Sequence, residues 1–260
     1  MLFTSLVQAN LKTGFIGQEI EYYTRLDSTN KEAWEIIKDG AKPGTIVITD
    51  NQFRGKGRRN RQWMASPDKS LTFSVILFPN IKANISGWLP ILSGLAVQKA
   101  LRQFDLSIQL KWPNDLLLNG KKVGGILCES KVIGSILESA IIGIGLNVNE
   151  TMDDIDASLH STSTSLHIAT DKFYQRERVL AEILNALEKL IDGLPDITRK
   201  VKSEWEVACS HMDKKVQFHH GDETVSGIFK SLGESGSAIL NINGNESKFY
   251  SGEIDTSVPI

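Results

Sequence analysis

The chain has 260 residues, of which 29 are Lys or Arg and 31 are Asp or Glu, for a formal charge of −2 with 41% hydrophobic and 23% charged residues. That composition excludes a broadly basic nucleic-acid coat, an acidic disordered tail and a low-complexity fibre. At about 150 residues per domain the length predicts one large domain or a large one with a small companion, and no disulfide or metal staple is needed at this size. Cys128 and Cys209 are too far apart for a zinc site or a redox CxxC pair. The N-terminus lacks a basic region followed by an apolar core, and no run approaches the roughly 20 apolar residues of a membrane span. A cytoplasmic protein is expected.

In chain order, Ser28, Thr29 and Asn30 are good capping types, and Ala33, Ile36 and Ile37 share one face of a helix predicted over 28–39. TIVIT at 45–49 and LTFSVILF at 71–78 read as buried strands, joined by a polar loop of about 20 residues, a length that marks a functional or a disordered segment. A long core helix is predicted over 86–104 and a strand over 108–112. Residues 115–118, Asn119-Gly120 and 123–128 read as a β-hairpin. A strand over 136–149, an irregular stretch over 151–170 and amphipathic helices over 172–192 and 196–208 follow. Beyond residue 211, KKVQFHH, TVSGIFKSL, SAILNIN and SKFYSGEI are four strand-like runs separated by turns, which suggests a small β-barrel. The expected units are therefore 1–211 and 212–260.

Residues 54–61, RGKGRRNR, hold five basic residues and no acid, so the other 252 residues carry −7. Gly55 and Gly57 let the backbone approach a ligand closely, and guanidinium groups bind phosphate or carboxylate oxygens. A solvated basic loop or a nucleic-acid patch reads equally well from composition. In KWPND at 111–115, Pro113 interrupts a strand and presents Asn114 and Asp115 at a chain turn, and Lys122 follows in KKVGGIL. GIGLNVN at 143–149 places two glycines and two asparagines at a strand end, a pattern that a β-bulge also explains.

Together, DSTN at 27–30, QFRGKGRRNRQW at 52–63, KWPND, KKVGGIL, GIGLNVN and the terminal YSGEI resemble, in this order and over almost the whole chain, the biotin protein ligases, or biotin–acetyl-CoA-carboxylase ligases. The resemblance implies an α+β fold: a class II synthetase-like mixed β-sheet with flanking helices, plus a small C-terminal SH3-like β-barrel. It implies an enzyme that makes biotinyl-5′-AMP from biotin and ATP and then biotinylates a lysine of a biotin carboxyl carrier domain. The partners expected are that domain, with no nucleic acid and no membrane, for a monomer or weak homodimer.

Adenylation sets the biotin carboxylate against the anionic α-phosphate, so fixed cations must offset the repulsion and stabilise the transition state. The resemblance assigns Lys122, Arg58 and Asp115 to catalysis, with Asp115 positioning or deprotonating the carrier lysine or holding Mg²⁺. It assigns Ser28, Thr29, Asn30, Gln52, Gly55, Lys56, Gly57, Arg58, Lys122 and Gly125 to biotin. It assigns Arg58, Arg61, Trp63, Asn114, Lys122 and Asn147 to ATP, Trp63 stacking on adenine and Mg²⁺ being held mainly by the phosphates. Lys56 and Asn60 depart from the family's common GRGRRGR: lysine lacks the bidentate fork of arginine, and asparagine tolerates the left-handed conformation that a glycine would allow. Only about 20 residues precede the first catalytic element, so no winged helix and no operator binding are expected. The RGKGRRNR loop is expected to be mobile until ligand arrives, because its charges repel and nothing apolar anchors it. The alternatives are a lipoate or octanoate ligase and a nucleic-acid-binding protein using residues 54–61.

Overall fold

A computed structural model describes residues 1–255, so the last five residues of the expected 212–260 unit lie outside it. The chain begins with α1 (Thr4–Asn10), β1 (Ile20–Tyr23), α2 (Thr29–Lys38) and β2 (Ile46–Thr49). The polar loop carries a two-rung hairpin, β3 (Gly55–Lys56) and β4 (Gln62–Trp63), before β5 (Leu71–Leu77), β6 (Ile81–Lys82) and α3 (Trp88–Leu101). Then come β7 (Gln109–Lys111), β8 (Asp115–Leu118), β9 (Lys121–Ile133), β10 (Ile136–Leu146), α4 (Leu166–Thr170), α5 (Arg176–Ile191) and α6 (Thr198–Ala208). The C-terminal strands are β11 (Lys215–His220), β12 (Glu223–Leu232), β13 (Ala238–Ile242), β14 (Asn245–Phe249) and β15 (Glu253–Asp255).

The main sheet has the order β1-β2-β5-β10-β9-β8-β7, with β6 beside β10. Only the β1–β2 pair is parallel, so the sheet is mixed. Every residue of β2 and β5 is buried, as expected of strands covered on both faces. On one face Val47, Ile76 and Ile141 pack with Ala33 of α2. On the other, Phe73, Val75, Ile142 and Ile144 join α3 and α5 in the main core. Helix α3 is apolar nearly all round and buried accordingly. Gly94 brings it onto the sheet: a Cβ there would stand 3.4 Å from Leu110 Cδ2 and 3.6 Å from Ile126 Cδ1.

The C-terminal strands form an antiparallel sheet of order β14-β13-β12-β11-β15. The run SKFYSGEI, read as one strand, is two. Its chain breaks at Tyr250–Gly252, where Gly252 has φ +152° and sits so close to Phe218 that a Cβ would lie 2.3 Å from the ring. The second half thereby becomes β15 on the far side of β11. Two indoles tie the β12–β13 turn to the rest of the chain, Trp88 Nε1 at the start of α3 donating to Glu234 O (2.7 Å) and Trp112 Nε1 after β7 to Gly236 O (3.1 Å). Helices α1 and α4, β1 and β6 carried too few periodic residues to stand out in sequence.

Candidate active site

The register of the main sheet lays out the site. Thr72, Gly145, Gly125 and Asp115 are successive partners across β5, β10, β9 and β8, and one pleat along lie Ser74, Gly143 and Leu127. Side chains alternate across a strand, so these residues share the face that Ile76 and Ile141 present to α2. Helix α2 covers only part of that face, and the rest is the floor of a cavity. Its walls are Ser28, Thr29, Asn30, Gln52, the 56–63 loop, Asn114, Lys122, Gly252 and Glu253.

At the N-terminus of α2, Ser28 Oγ caps the helix, accepting from Lys31 N at 3.5 Å. Thr29 N donates to Gln52 Oε1 (2.8 Å), which turns the amide nitrogen of Gln52 toward Gly55, where a Cβ would stand 2.4 Å from it. Ser74 Oγ lies 2.7 Å from both Thr29 Oγ1 and Asn30 Oδ1. The Asn30 carbonyl only accepts, so Ser74 donates to it and receives the proton of Thr29. Asn30 Nδ2 donates to Glu129 Oε2 (2.9 Å) and Leu127 O (3.2 Å). Asn30 therefore lines the wall with its polar atoms already engaged, whereas the hydroxyl oxygens of Ser28 and Thr29 remain open to accept.

One pleat along, Lys122 Nζ meets Asp115 Oδ1 at 2.6 Å, and Lys111 Nζ stands 3.6 Å from the other carboxylate oxygen. Asn114 sits in the connection between β7 and β8, beside a cis Trp112–Pro113 peptide, and donates to Ile126 O at 2.7 Å. Asp115 is the first residue of β8, not a turn residue, because its pairing with Lys111 closes the hairpin. Arg58 Nη1 reaches Gly252 O (3.1 Å) and Asn114 Oδ1 (3.5 Å), and burial together with the neighbouring Arg59 lowers its pKa.

The basic loop is anchored by polar contacts to the C-terminal sheet. Arg61 grips Glu253 through both guanidinium nitrogens (2.6 and 2.7 Å), and Arg59 Nη2 donates to His219 O at 3.1 Å. The loop charges are thus matched by a carboxylate and carbonyls that are distant in sequence. Left-handed backbone occurs at Arg59 (φ +54°), closing a tight turn in which Gly57 N donates to Arg61 O at 2.7 Å. Trp63 lies over Gly145, where a Cβ would stand 2.4 Å from the ring, and its Nε1 is buried without a partner.

Of the residues expected from sequence, Ser28, Thr29, Asn30, Gln52, Lys56, Gly57, Arg58, Arg61, Trp63, Asn114, Asp115, Lys122 and Gly125 line one cavity. Gly55 stands behind Gln52. Asn147 is not brought to the cavity wall, since its amide donates to Thr164 O (2.9 Å) and so ties β10 to the segment before α4. Sequence reasoning missed Thr72, Ser74, Glu129, Gly252 and Glu253. The alternate small polar residues in LTFSVILF, facing the alternate glycines of GIGLNVN, were the available signal for the first two. Among the described residues no cluster of three His, Cys, Asp or Glu could hold a metal ion.

Residues 22–147 match the model of the biotin/lipoate A/B protein ligase family. The chain is 32% identical over 256 residues to the bifunctional ligase/repressor BirA of Bacillus subtilis, covering 98% of this chain and 79% of that protein. It is 25% identical over 244 residues to the biotin–acetyl-CoA-carboxylase ligase of Mycobacterium tuberculosis, covering 91% and 88%. The biotin protein ligase of Aquifex aeolicus, solved in complex with biotin and ATP, superposes with a TM-score of 0.77 at 27% identity, covering 92% of this chain and 98% of that one. The chain belongs to the biotin protein ligase family.

Proposed function

We propose that the protein condenses biotin with ATP to biotinyl-5′-AMP and then transfers biotin to one lysine of a biotin carboxyl carrier domain. The observation that carries this reading is the two-row cavity. Neutral hydroxyl and amide groups suited to a ureido ring occupy one row, and Lys122 with Asp115 occupies the next, about 7 Å along the strands.

A biotin carboxylate oxygen attacks the α-phosphorus, the bond to the β-phosphate breaks and pyrophosphate leaves. Lys122 and Arg58 offset the charge that gathers there, and Lys122 exchanges its Asp115 partner for the phosphate oxygens. The carrier amine then attacks the acyl carbon, loses a proton and displaces AMP. Asp115, released from Lys122 but still beside Lys111, is placed to take that proton. Mg²⁺ would be held by the triphosphate and would neutralise the leaving pyrophosphate, because among the described residues the cavity's carboxylates are Asp115 and Glu253, both already engaged by cations. Trp63 and Asn114 stand where the carboxyl end of biotin meets the nucleotide.

The finer readings rest on the same features. Phe249 of β14 meets Phe218 of β11 at 4.4 Å although two strands separate them, and such curling supports an SH3-like barrel and a division into units 1–211 and 212–260. Arg61 is committed to Glu253 and Arg58 to the cavity, which favours a small anionic ligand over a nucleic-acid partner for this loop. No helix among the described residues is long and apolar enough to cross a membrane. A cytoplasmic monomer or weak homodimer is the state proposed.

The test is purified protein with ATP, Mg²⁺ and a carrier domain, supplied with biotin or with lipoate, and mass measurement of the carrier. Mass gain with biotin alone is expected, and it should disappear in Lys122→Ala. No gain with biotin, or gain with lipoate only, overturns the assignment.

A further inference from the structure

Two polar groups in the cavity have no partner in the protein: the hydroxyl of Thr72 and the indole N–H of Trp63. Thr72 is 4% exposed, and buried polar groups are ordinarily paired, so an orphan needs a reason. The contrast with Ser74 is informative. Ser74 lies two residues along the same strand face and is fully paired with Thr29 and Asn30. Thr49, the partner of Thr72 on β2, already donates to Asn51 O at 3.3 Å.

Both orphans border Gly145. Thr72 pairs with Gly145 in the register of β5 and β10, and the Trp63 ring rests where a Gly145 side chain would be. Gly145 is in the row of Gly125 and Asp115, not in the row of Asn30 and Gly143. The indole only donates and a threonine hydroxyl donates as well, so the atom that completes the pair is an acceptor. Given the proposed function, a ligand whose ureido ring lies against the Ser74 row extends its acid chain across the Thr72 row.

We propose that Thr72 is a substrate-contacting residue: its hydroxyl and the Trp63 N–H together hold an acceptor oxygen in the carboxyl half of biotin, in the acid and in its acyl-adenylate form. The inference rests on the biotin ligase reading and adds a residue to it. Because the hydroxyl is unpaired without ligand, deleting it leaves the free protein as stable as before or more so, while weakening the complex. A structural role would couple the two losses.

The experiment uses the full chain, with Thr72→Val (nearly the same shape, no hydroxyl), Thr72→Ser (hydroxyl kept) and Trp63→Phe (ring kept, N–H removed). Thermal unfolding is recorded without ligand, and affinities are measured for biotin, for a sulfamoyl analogue of biotinyl-5′-AMP and for 2-imidazolidinone, which is the ureido part alone. Thr72→Val is expected to unfold no earlier than the parent and to bind biotin and the analogue about tenfold more weakly, with 2-imidazolidinone unaffected. Thr72→Ser should bind like the parent, and Trp63→Phe should show the same selective loss as the valine variant. Parent-like biotin binding by Thr72→Val, or equal weakening toward 2-imidazolidinone, overturns the proposal while leaving the ligase reading intact. A parent protein that does not bind biotin sinks both.

Discussion

Gly143 is where a single methyl group should separate the architecture from the site. A Cβ at this position would stand 2.1 Å from Asn30 Oδ1, so the Asn30 side chain would have to move by about 1 Å. It has nowhere to go without breaking bonds. Its oxygen takes the Ser74 proton at 2.7 Å, and its nitrogen serves Glu129 at 2.9 Å and Leu127 O at 3.2 Å, all in a residue only 4% exposed. Losing the neutral bond to Ser74 costs about 1 kcal/mol, and losing the charge-assisted bond to Glu129 about 1.5–3 kcal/mol, so Gly143→Ala should destabilise the free protein by about 2.5–4 kcal/mol. It should also weaken biotin binding at least about tenfold, because Thr29, which shares Ser74 with Asn30, loses its fixed orientation. Urea unfolding without ligand gives the first number, and biotin-dependent ATP–pyrophosphate exchange gives the second. A variant within about 0.5 kcal/mol of the parent, with an unchanged KM for biotin, would falsify the network as described.

Other substitutions probe separate parts. Gly145→Ala displaces only the Trp63 ring, which rides on a loop, so the KM for ATP should rise at least threefold with stability changed by less than about 1 kcal/mol; the reverse pattern would refute the floor role of Gly145. Glu253→Gln removes the carboxylate that clamps Arg61, and trypsin should then cut within 54–61 several-fold faster in the ligand-free protein. Equal cutting rates would show that the clamp does not order the loop. Acid titration is a third measurement. Burial, with Lys111 and Lys214 nearby, holds His211 at a pKa of about 3, so the unfolded chain binds its proton first and stability is lost as pH falls from 6.5 toward 3. From pH 6.5 to 5 that loss is about 2 kcal/mol. Burial raises Glu150 to about 7, which gives the opposite slope between pH 4.5 and 7, so Glu150→Gln should unmask the full His211 dependence. A flat pH profile in that variant would contradict the buried neutral histidine.

What was legible in the sequence depended on how local the cause was. Ser28 capping α2, the Asn119-Gly120 hairpin with both residues at positive φ, and the all-buried β5 each follow from a few adjacent residues. The cluster of cavity residues was readable as well, because each motif ends a strand or opens a helix and the sheet gathers those ends. Pairings fixed only by the packed sheets were not readable. Nothing near RGKGRRNR announces Glu253, almost 200 positions away, as the partner of Arg61. Nor does the run itself announce the left-handed conformation of Arg59, which follows from the turn that closes between Gly57 and Arg61.

The glycine pair Gly143 and Gly145 shows why motif and mechanism coincide here. Each glycine removes one side chain from the cavity floor, and a different group fills each notch: Asn30 from α2 in one, Trp63 from the loop in the other. Asn30 is rigid, bonded to three partners, and fixes the neutral end of the cavity. Trp63 is held by packing alone, its N–H unpaired, so it can shift when a ligand arrives without breaking a hydrogen bond. A two-step ligase needs both behaviours in one pocket, a fixed seat for the group it keeps through both reactions and an adjustable wall where the carboxyl of that group meets the nucleotide that enters and leaves. Two glycines two residues apart on one strand face supply the seat and the wall from a single strand.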